Sequence, residues 1–148
     1  MPRIALYQPD IAQNLGTTLR TAACFGFDVD IIEPCGFPFD DKKFRRAGMD
    51  YIDNVKYIRH RSWESFLEEN KNSRIILLSS KAIKPYSSIE YKNNDILLFG
   101  RESAGVPQDV SDACNELVTI PMKEGMRSLN VAVSVGIVVG EVARQIGI

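Results

Sequence analysis

The sequence predicts an α/β domain in which a parallel sheet is flanked by helices. Short apolar segments alternate along the chain with segments of helical periodicity, which is typical of strands alternating with helices. Two of the apolar segments, RIILLSS and DILLFG, are continuous, as expected for parallel strands that are covered on both faces. The chain has 148 residues, 45% of them hydrophobic, which is the size and composition of one globular domain. We therefore expect a single domain over residues 1–148.

The first elements are predicted to be a strand, a helix and a second strand. The segment RIALYQP (Arg3 to Pro9) is a short apolar run that stops at a proline, and DVDIIEP (Asp28 to Pro34) repeats this pattern. Between them, apolar residues recur at helical spacing from Asn14 onwards, and Gly26 is a natural C-cap. The connection between the two strands should be right-handed.

The later elements continue the alternation. The segment Ser62 to Asn70 is predicted to be an amphipathic helix with Ser62 as its N-cap and Ser65 as a weaker alternative. The remaining predicted elements are strands at Arg74 to Ser80, Asp95 to Gly100 and Glu116 to Pro121, and a closing helix at Ser128 to Ile146.

Composition limits the classes of function. The formal net charge of −1 gives no general basic surplus for a nucleic-acid partner, so that only a local basic patch could bind one. Since the chain lacks a run of 18 apolar residues and its N-terminus turns polar early, we expect a cytoplasmic protein without a membrane segment. Cys24, Cys35 and Cys114 lack CxxC spacing, so we expect reduced packing cysteines and no metal site.

Three loops after predicted strands carry residues that a plain connection would not need. These residues are Asn14, Gly16 and Arg20 in the first loop, Gly100, Glu102 and Gly105 in the second, and Arg127, Ser128 and Asn130 in the third. Taken singly, each loop is explained by capping and turn chemistry. Because the carboxyl ends of parallel strands lie at one edge of the sheet, the loops are expected to converge on a ligand there.

The chain has neither of the two common nucleotide-binding motifs. No GxGxxG follows the first strand, and no GxxxxGK[ST] occurs. The loops instead offer backbone donors and acceptors beside the apolar residues Leu78, Ile120, Met122 and Leu129. This combination is compatible with an adenine-bearing ligand held by main-chain contacts.

Three segments resemble the ordered motifs of the SPOUT superfamily of RNA methyltransferases, over essentially the whole chain. They are NLGTTLRTAACFGF, LLFGRESAGVP and IPMKEGMRSLNVAVSVGIVVGE. A further segment, IIEPCGFPFDDKKFRRAGMDY, is similar to one typical of the small tRNA wobble-nucleotide 2'-O-ribose methyltransferases (the TrmL type). The resemblance implies the SPOUT fold with a C-terminal deep trefoil knot, an exception to the rule that protein chains are not knotted.

The resemblance also implies an activity and its residues. The implied reaction is methylation of the ribose 2'-hydroxyl of tRNA cytidine 34 or uridine 34, with S-adenosyl-L-methionine as donor and no metal. The implied cofactor-binding residues are Leu78, Gly100, Ile120, Met122, Ser128 and Leu129. The implied catalytic residues are Arg20, Glu102, Ser128 and Asn130. In related enzymes the arginine that corresponds to Arg20 has been regarded as the group that activates the ribose hydroxyl. Because a guanidinium is a poor base, we favour a role in binding the adjacent phosphate and stabilising the developing alkoxide.

The implied partners are the tRNA anticodon stem-loop and a second copy of the chain in a homodimer. The proposed RNA-binding residues are Lys42, Lys43, Arg45 and Arg46, with RHR (Arg59 to Arg61) as a second basic cluster. Phe37, Phe39 and Phe44 lie among these charges, which suits stacking on anticodon-loop bases, although a solvated helix face is the alternative.

Some features leave the substrate open. Thr17 and Ala104 stand where many relatives have asparagine and arginine, and either could alter RNA contacts. The small-residue face with Gly136 and Gly140 could approach a partner helix or be buried in its own core. The rival functions are methylation of another tRNA site or of rRNA and, more distantly, RNA binding without catalysis.

Overall fold

A computed structural model describes residues 1–42, 55–126 and 128–148, and within these residues the chain forms a parallel sheet. The strands are β1 (Arg3–Tyr7), β2 (Asp28–Ile32), β3 (Tyr57–His60), β4 (Arg74–Leu78), β5 (Asp95–Phe99) and β6 (Glu116–Val118). Their spatial order is β3-β2-β1-β5-β4-β6. The chain winds outward from β1 through β2 to β3, crosses to β4 on the other side, returns to β5 beside β1 and ends in the edge strand β6. The change of direction makes the boundary between β1 and β5 a topological switch point. Ligands of open α/β sheets bind at such a point, beyond the carboxyl ends of the strands.

Helices cover both faces of the sheet. They are α1 (Ala12–Phe25), α2 (Trp63–Glu69), α3 (Gln108–Asp112) and α4 (Val131–Ile146), and a short 3-10 turn lies at Tyr86–Ser88. No helix in the described ranges is long and apolar enough to cross a membrane.

The alternation of side chains along β1 divides the core in two. Ile4 and Leu6 point into a cluster that includes Leu19 of α1 and Val138 of α4. The intervening Ala5 and Tyr7 point to the opposite face, where a second cluster contains apolar residues of α2 and α3. Burying each large apolar side chain stabilises the fold by about 1.5–3 kcal/mol. Both faces of the sheet are therefore covered by packed helices.

The predicted strands are all present, and two caps are as expected. The Ser62 hydroxyl accepts a hydrogen bond from the Ser65 amide at 3.1 Å and caps α2. Gly26 ends α1 with φ of 76°, in the left-handed region that favours glycine.

The helix starts differ from the prediction. Helix α1 begins at Ala12, so Asn14 lies within it and does not cap it. The closing helix begins at Val131 rather than at Ser128, because Asn130 is its N-cap. The Asn130 Oδ1 accepts from the amides of Ala132 at 2.8 Å and Val133 at 3.3 Å.

Two elements were not predicted. Strand β3 lies at the sheet edge. Ile58 and Arg59 are both exposed, so the strand lacks the alternation of apolar and polar residues by which a strand is predicted. Helix α3 has five residues, too few for helical periodicity to stand out. The placement of His60 on a basic surface is wrong, because the side chain is buried and its Nε2 lies 2.7 Å from Asp30 Oδ1.

The cysteines are free, as predicted, but they occupy different environments. Cys24 is exposed, whereas Cys35 and Cys114 are half-buried. Burial raises the pKa of the Cys35 thiol to about 11 and that of Cys114 to about 12. Both thiols are therefore protonated and unreactive at neutral pH.

Candidate active site

The three polar loops meet at the carboxyl edge of the sheet through a continuous chain of hydrogen bonds. The Asn14 side-chain amide donates to Glu102 Oε1 at 2.9 Å, and the Asn130 amide donates to Asn14 Oδ1 at 3.0 Å. Asn130 in turn caps α4 with its side-chain oxygen. The chain ties the turn after β5 to α1 and to the N-terminus of α4, so these segments are held in a fixed relation.

A second set of contacts joins the loops after β1 and β5. The Asp10 carboxylate accepts from the Glu102 amide at 3.3 Å and from the Ser103 hydroxyl at 2.6 Å. The Asp10 amide donates back to Glu102 Oε2 at 3.5 Å. These reciprocal contacts place two carboxyl groups side by side.

The neighbouring carboxyl groups have opposite acid–base behaviour. Burial raises the pKa of Glu102 above its usual range, and the hydrogen bond with the Asp10 carboxyl group raises it further. The same hydrogen bond, together with that from Ser103, lowers the pKa of Asp10 to about 2. Glu102 therefore keeps its proton to higher pH than Asp10 does, a division typical of groups that handle protons in catalysis.

The turn after β5 requires glycine at Gly100. A Cβ at this position would lie 2.7 Å from the carbonyl carbon and 2.8 Å from the Cα of Gly105. Two backbone hydrogen bonds of 3.0 Å between Arg101 and Gly105 close the turn, and Gly105 itself has φ of 61°. This tight turn presents Glu102 and Ser103 next to a cavity.

The cavity, of about 310 Å³, lies between the ends of β4, β5 and β6 and the start of α4. All the residues predicted to bind the cofactor line it, namely Leu78, Gly100, Ile120, Met122, Ser128 and Leu129. Its volume lies at the lower end of the range for small-molecule sites, about 300–1,000 Å³. The cavity also includes residues that sequence reasoning did not identify, namely Ser79, Ser80, Lys81, Ser103 and Ser134.

The predicted catalytic residues are not all at the cavity. Glu102 and Ser128 line it, and Asn130 reaches Glu102 through Asn14. Arg20 is exposed on α1 and is not among the lining residues. The catalytic roles of these four residues remain predictions, and the structure gives Asn14 a connecting position that its sequence context, typical of a helix cap, did not indicate.

Sequence reasoning also missed Asp10 and Thr18. Asp10 follows Pro9 and resembles an ordinary turn residue, so only its contacts reveal a role. Thr18 lines a pocket of about 10 Å³ beside Asn14 and Glu102, and its fully buried hydroxyl has no hydrogen-bond partner within the described part of the chain.

The predicted RNA-binding surface is only partly described. Lys42 is exposed, whereas Lys43, Arg45 and Arg46 lie outside the described residues, as do Phe44 and Arg127. In the second basic cluster, Arg59 forms ion pairs with Glu33 and Asp41 and covers the ring of Phe39 at 4.4 Å. Phe37 and Phe39 pack against the core. These pairings favour a structural role for this part of the cluster.

Comparison with known proteins identifies the family. A model of the SpoU rRNA Methylase family matches residues 1–140. A tRNA (cytidine(34)-2'-O)-methyltransferase from Beijerinckia indica is 52% identical over 146 residues, which cover 97% of this chain and 91% of that protein.

Solved structures agree with this assignment. One, described as giving structural insights into the 2-OH methylation of C/U34 on tRNA, has a TM-score of 0.91 at 38% identity and covers 99% of this chain and 96% of its own. The AdoMet-bound rRNA methyltransferase from Sinorhizobium meliloti has a TM-score of 0.85 at 27% identity, with 97% of this chain and 56% of that one covered. The chain therefore belongs to the SpoU methylase family and has the fold of that family, which carries a trefoil knot.

Proposed function

We propose that the protein methylates the ribose 2'-hydroxyl of nucleotide 34 in the anticodon loop of tRNA, with S-adenosyl-L-methionine as methyl donor. The observation that carries the proposal is that the chain of hydrogen-bonded polar side chains reaches the wall of the cavity. The six residues predicted to hold the cofactor line the cavity, and Glu102 belongs both to its wall and to the chain through Asn14 and Asn130.

The lining residues fit S-adenosyl-L-methionine. Leu78, Ile120, Met122 and Leu129 provide apolar surface for an adenine ring, and the Gly100 turn brings backbone close to the cavity. When bound, the cofactor supplies an electrophilic methyl group that a ribose hydroxyl can attack in line, with loss of the hydroxyl proton. The protein must therefore orient that hydroxyl and assist the loss of its proton.

Glu102 is the group in the cavity wall best suited to assist the proton. Its pKa is raised by burial, which makes its carboxylate a stronger proton acceptor than an exposed glutamate. The amide of Asn14 holds one oxygen of the carboxyl group and so leaves its orientation fixed. A guanidinium is a poor base, so the contribution of Arg20 is to bind the adjacent phosphate and to stabilise the developing alkoxide.

The choice of tRNA over rRNA follows similar proteins that this chain matches over most of their length. The Beijerinckia relative, described as a tRNA (cytidine(34)-2'-O)-methyltransferase, matches this chain over 91% of its length. The Sinorhizobium rRNA methyltransferase is more distant, and the chain spans about half of its length, 56%. We extend the specificity described for these similar proteins, cytidine 34 or uridine 34, to this chain.

We also propose a cytoplasmic homodimer of single-domain subunits that span residues 1–148. Several large apolar side chains are exposed around the start of α4, which favours a protein contact there. They include Met126 at 67% exposure and Val133 at 50%. The proposed substrate, tRNA, is a cytoplasmic molecule in bacteria, which supports a cytoplasmic location for the enzyme.

Methylation of an anticodon stem-loop tests the proposal. The purified protein is incubated with S-adenosyl-L-methionine that carries a labelled methyl group. Two anticodon stem-loops are compared, one with a 2'-hydroxyl and one with a 2'-deoxy group at the wobble nucleotide. We expect label transfer to the first and none to the second. Transfer to both stem-loops would mean that the methylated atom is not the 2'-hydroxyl of the wobble nucleotide. If neither stem-loop is labelled but total bacterial rRNA is, the result would support the rRNA alternative.

A further inference from the structure

Asp10 is a charged residue beside the cavity to which neither the family resemblance nor the proposed mechanism gives a role. Both of its carboxylate oxygens accept hydrogen bonds from the turn after β5, one from the Glu102 amide and one from the Ser103 hydroxyl. Its own amide donates to the Glu102 carboxyl group. Asp10 thus contacts the backbone and the side chain of Glu102 and the side chain of the next residue, Ser103.

Asp10 is itself held in place by the loop after β2. A Cβ on Gly36 would lie 2.7 Å from the Cβ and 2.9 Å from the Cα of Asp10, so the two backbones are in close contact. The Gly36 amide also donates to the Pro9 carbonyl at 2.9 Å. A residue that is packed from behind and hydrogen-bonded in front can transmit a fixed position to its partner.

We propose that Asp10 is a positioning residue of the methyl-transfer site, which fixes the Glu102 carboxyl group and exposes it to a second negative charge. The proposal rests on the proposed function, because it assigns Asp10 to a reaction in which Glu102 takes part. Asp10 acts through Glu102 and is not assigned any contact with substrate.

The groups around Glu102 define what Asp10 contributes. From α1 comes the neutral amide of Asn14, and beyond it lies the neutral amide of Asn130 before α4. The neighbouring Arg101 points away, with its Nε donating to the Gly105 carbonyl at 3.0 Å and its guanidinium 5.4 Å from the Tyr7 ring centre. Within the described residues, Asp10 is therefore the titratable group that contacts Glu102.

Replacing Asp10 with asparagine separates charge from shape. Asparagine keeps an acceptor oxygen of nearly the same position but removes the charge, and with it the contribution of Asp10 to the raised pKa of Glu102. Burial remains, so the pKa of Glu102 should fall but stay above its usual range.

Carbon-13 NMR of the side-chain carboxyl groups tests this in the ligand-free protein. The Glu102 signal is assigned by its loss in Glu102→Gln, and its titration is compared between wild type and Asp10→Asn. We expect a lower pKa in Asp10→Asn and a movement of the acid limb of the single-turnover rate to lower pH. An unchanged Glu102 titration would overturn the proposal. This measurement requires no methylation, so it stands apart from the test of the proposed function.

Two further variants test the positioning. Asp10→Ala removes both acceptor oxygens, and we expect the single-turnover rate to fall by about 10- to 100-fold, the scale of a small misplacement, with most of the loss restored in Asp10→Asn. A wild-type rate in Asp10→Ala would contradict the proposal. Should Asp10→Ala fail to fold, Asp10→Asn decides alone: a lower pKa of Glu102 in that variant supports the proposal, and an unchanged Glu102 titration overturns it.

Asp112→Asn is the matched control. It makes the same change of charge and size at an exposed position of α3, where the side chain bonds to Gln108. Asp112→Asn should leave the Glu102 titration unchanged, and an equal effect there would show that overall charge, rather than contact, sets the behaviour of Glu102.

Discussion

The amino ends of β4 and β5 and the carboxyl ends of β1 and β5 arrange their charges in opposite ways. At the amino ends, Arg74 and Asp95 face each other in register and form two hydrogen bonds, of 2.8 and 2.7 Å, between guanidinium and carboxylate. At the carboxyl ends, Asp10 and Glu102 bring two acids together, and no ion pair within the described residues joins either of them to a cation.

From this difference we expect the amino ends of the strands to serve stability and the carboxyl ends to serve the proposed chemistry. A buried carboxylate with a bidentate arginine is satisfied, and breaking the pair is costly. Two adjacent acids joined by a hydrogen bond shift in opposite directions, because ionisation of one opposes ionisation of the other: the pKa of Asp10 is lowered and that of Glu102 is raised. Such perturbed groups cluster at functional sites. We therefore expect substitutions at the amino ends to change stability and substitutions at the carboxyl ends to change rate.

The largest expected effect is on stability and comes from Arg74→Met. Asp95, whose side chain is 1% exposed, would remain buried without its cation, and the free energy of unfolding should fall by about 3–5 kcal/mol. Urea unfolding measures this, with methylation per folded molecule unchanged. Lys71→Met is the control, because Lys71 and Glu68 form an exposed pair that contributes little. A rate defect in folded Arg74→Met would break the comparison.

The second effect is on rate and comes from Arg20→Ala. If Arg20 stabilises the alkoxide, the single-turnover rate at saturating tRNA should fall by about 100-fold or more, with cofactor affinity and unfolding unchanged. Arg20→Lys keeps the charge but loses the planar fork, so we expect poor rescue. If saturating tRNA restores the rate of Arg20→Ala, Arg20 only binds phosphate, and a wild-type rate at every concentration would remove it from the site.

The strands and the cavity could be predicted because their signals are local. Continuous apolar segments mark β4 and β5, and the motifs that resemble the SPOUT superfamily contain all the predicted lining residues except Leu78, which ends β4. Strand β3 could not be predicted in this way, because an edge strand exposes residues such as Arg59 that resemble a basic surface cluster.

The contacts between loops could not be predicted from the sequence. Asp10 and Glu102 are separated by 92 positions, and Asn14 and Asn130 by 116. Each residue taken alone is explained by turn or cap chemistry, and only the closing of the sheet brings the pairs together. His60 is a similar case, since its burial against Asp30 depends on the pairing of β3 with β2.

A smaller effect separates the two roles of Asn130. Asn130→Ala loses the cap of α4 and the donor to Asn14, so the free energy of unfolding should fall by about 1 kcal/mol and the rate by about tenfold. Asn130→Ser keeps a capping oxygen but lacks the amide, so we expect near wild-type stability with the same loss of rate. Thermal unfolding and single-turnover methylation measure the two quantities. Recovery of the rate in Asn130→Ser would mean that Asn130 acts only as a cap.

The smallest expected effect concerns stability in acid and again distinguishes the two ends of the sheet. The pKa of Asp10 is lowered from 3.8 to about 2 by its hydrogen bonds with Glu102 and Ser103. A group whose pKa is lower in the folded state stabilises the fold above its unfolded pKa, and this stabilisation is lost as the pH falls toward the folded value. Wild type should therefore lose more stability than Asp10→Asn between pH 3.8 and about 2. Glu102 has the opposite sign, because its raised pKa gives a contribution that is present at low pH and lost as the pH rises through the folded value.

Urea titration measures the unfolding free energies of wild type and Asp10→Asn between pH 3.8 and about 2. The difference between the two proteins cancels the contributions of the other carboxylates, and Asp112→Asn provides the control. Parallel curves would show that folding does not lower the pKa of Asp10, and the contrast between the two ends of the sheet would then rest on Arg74 and Asp95 alone.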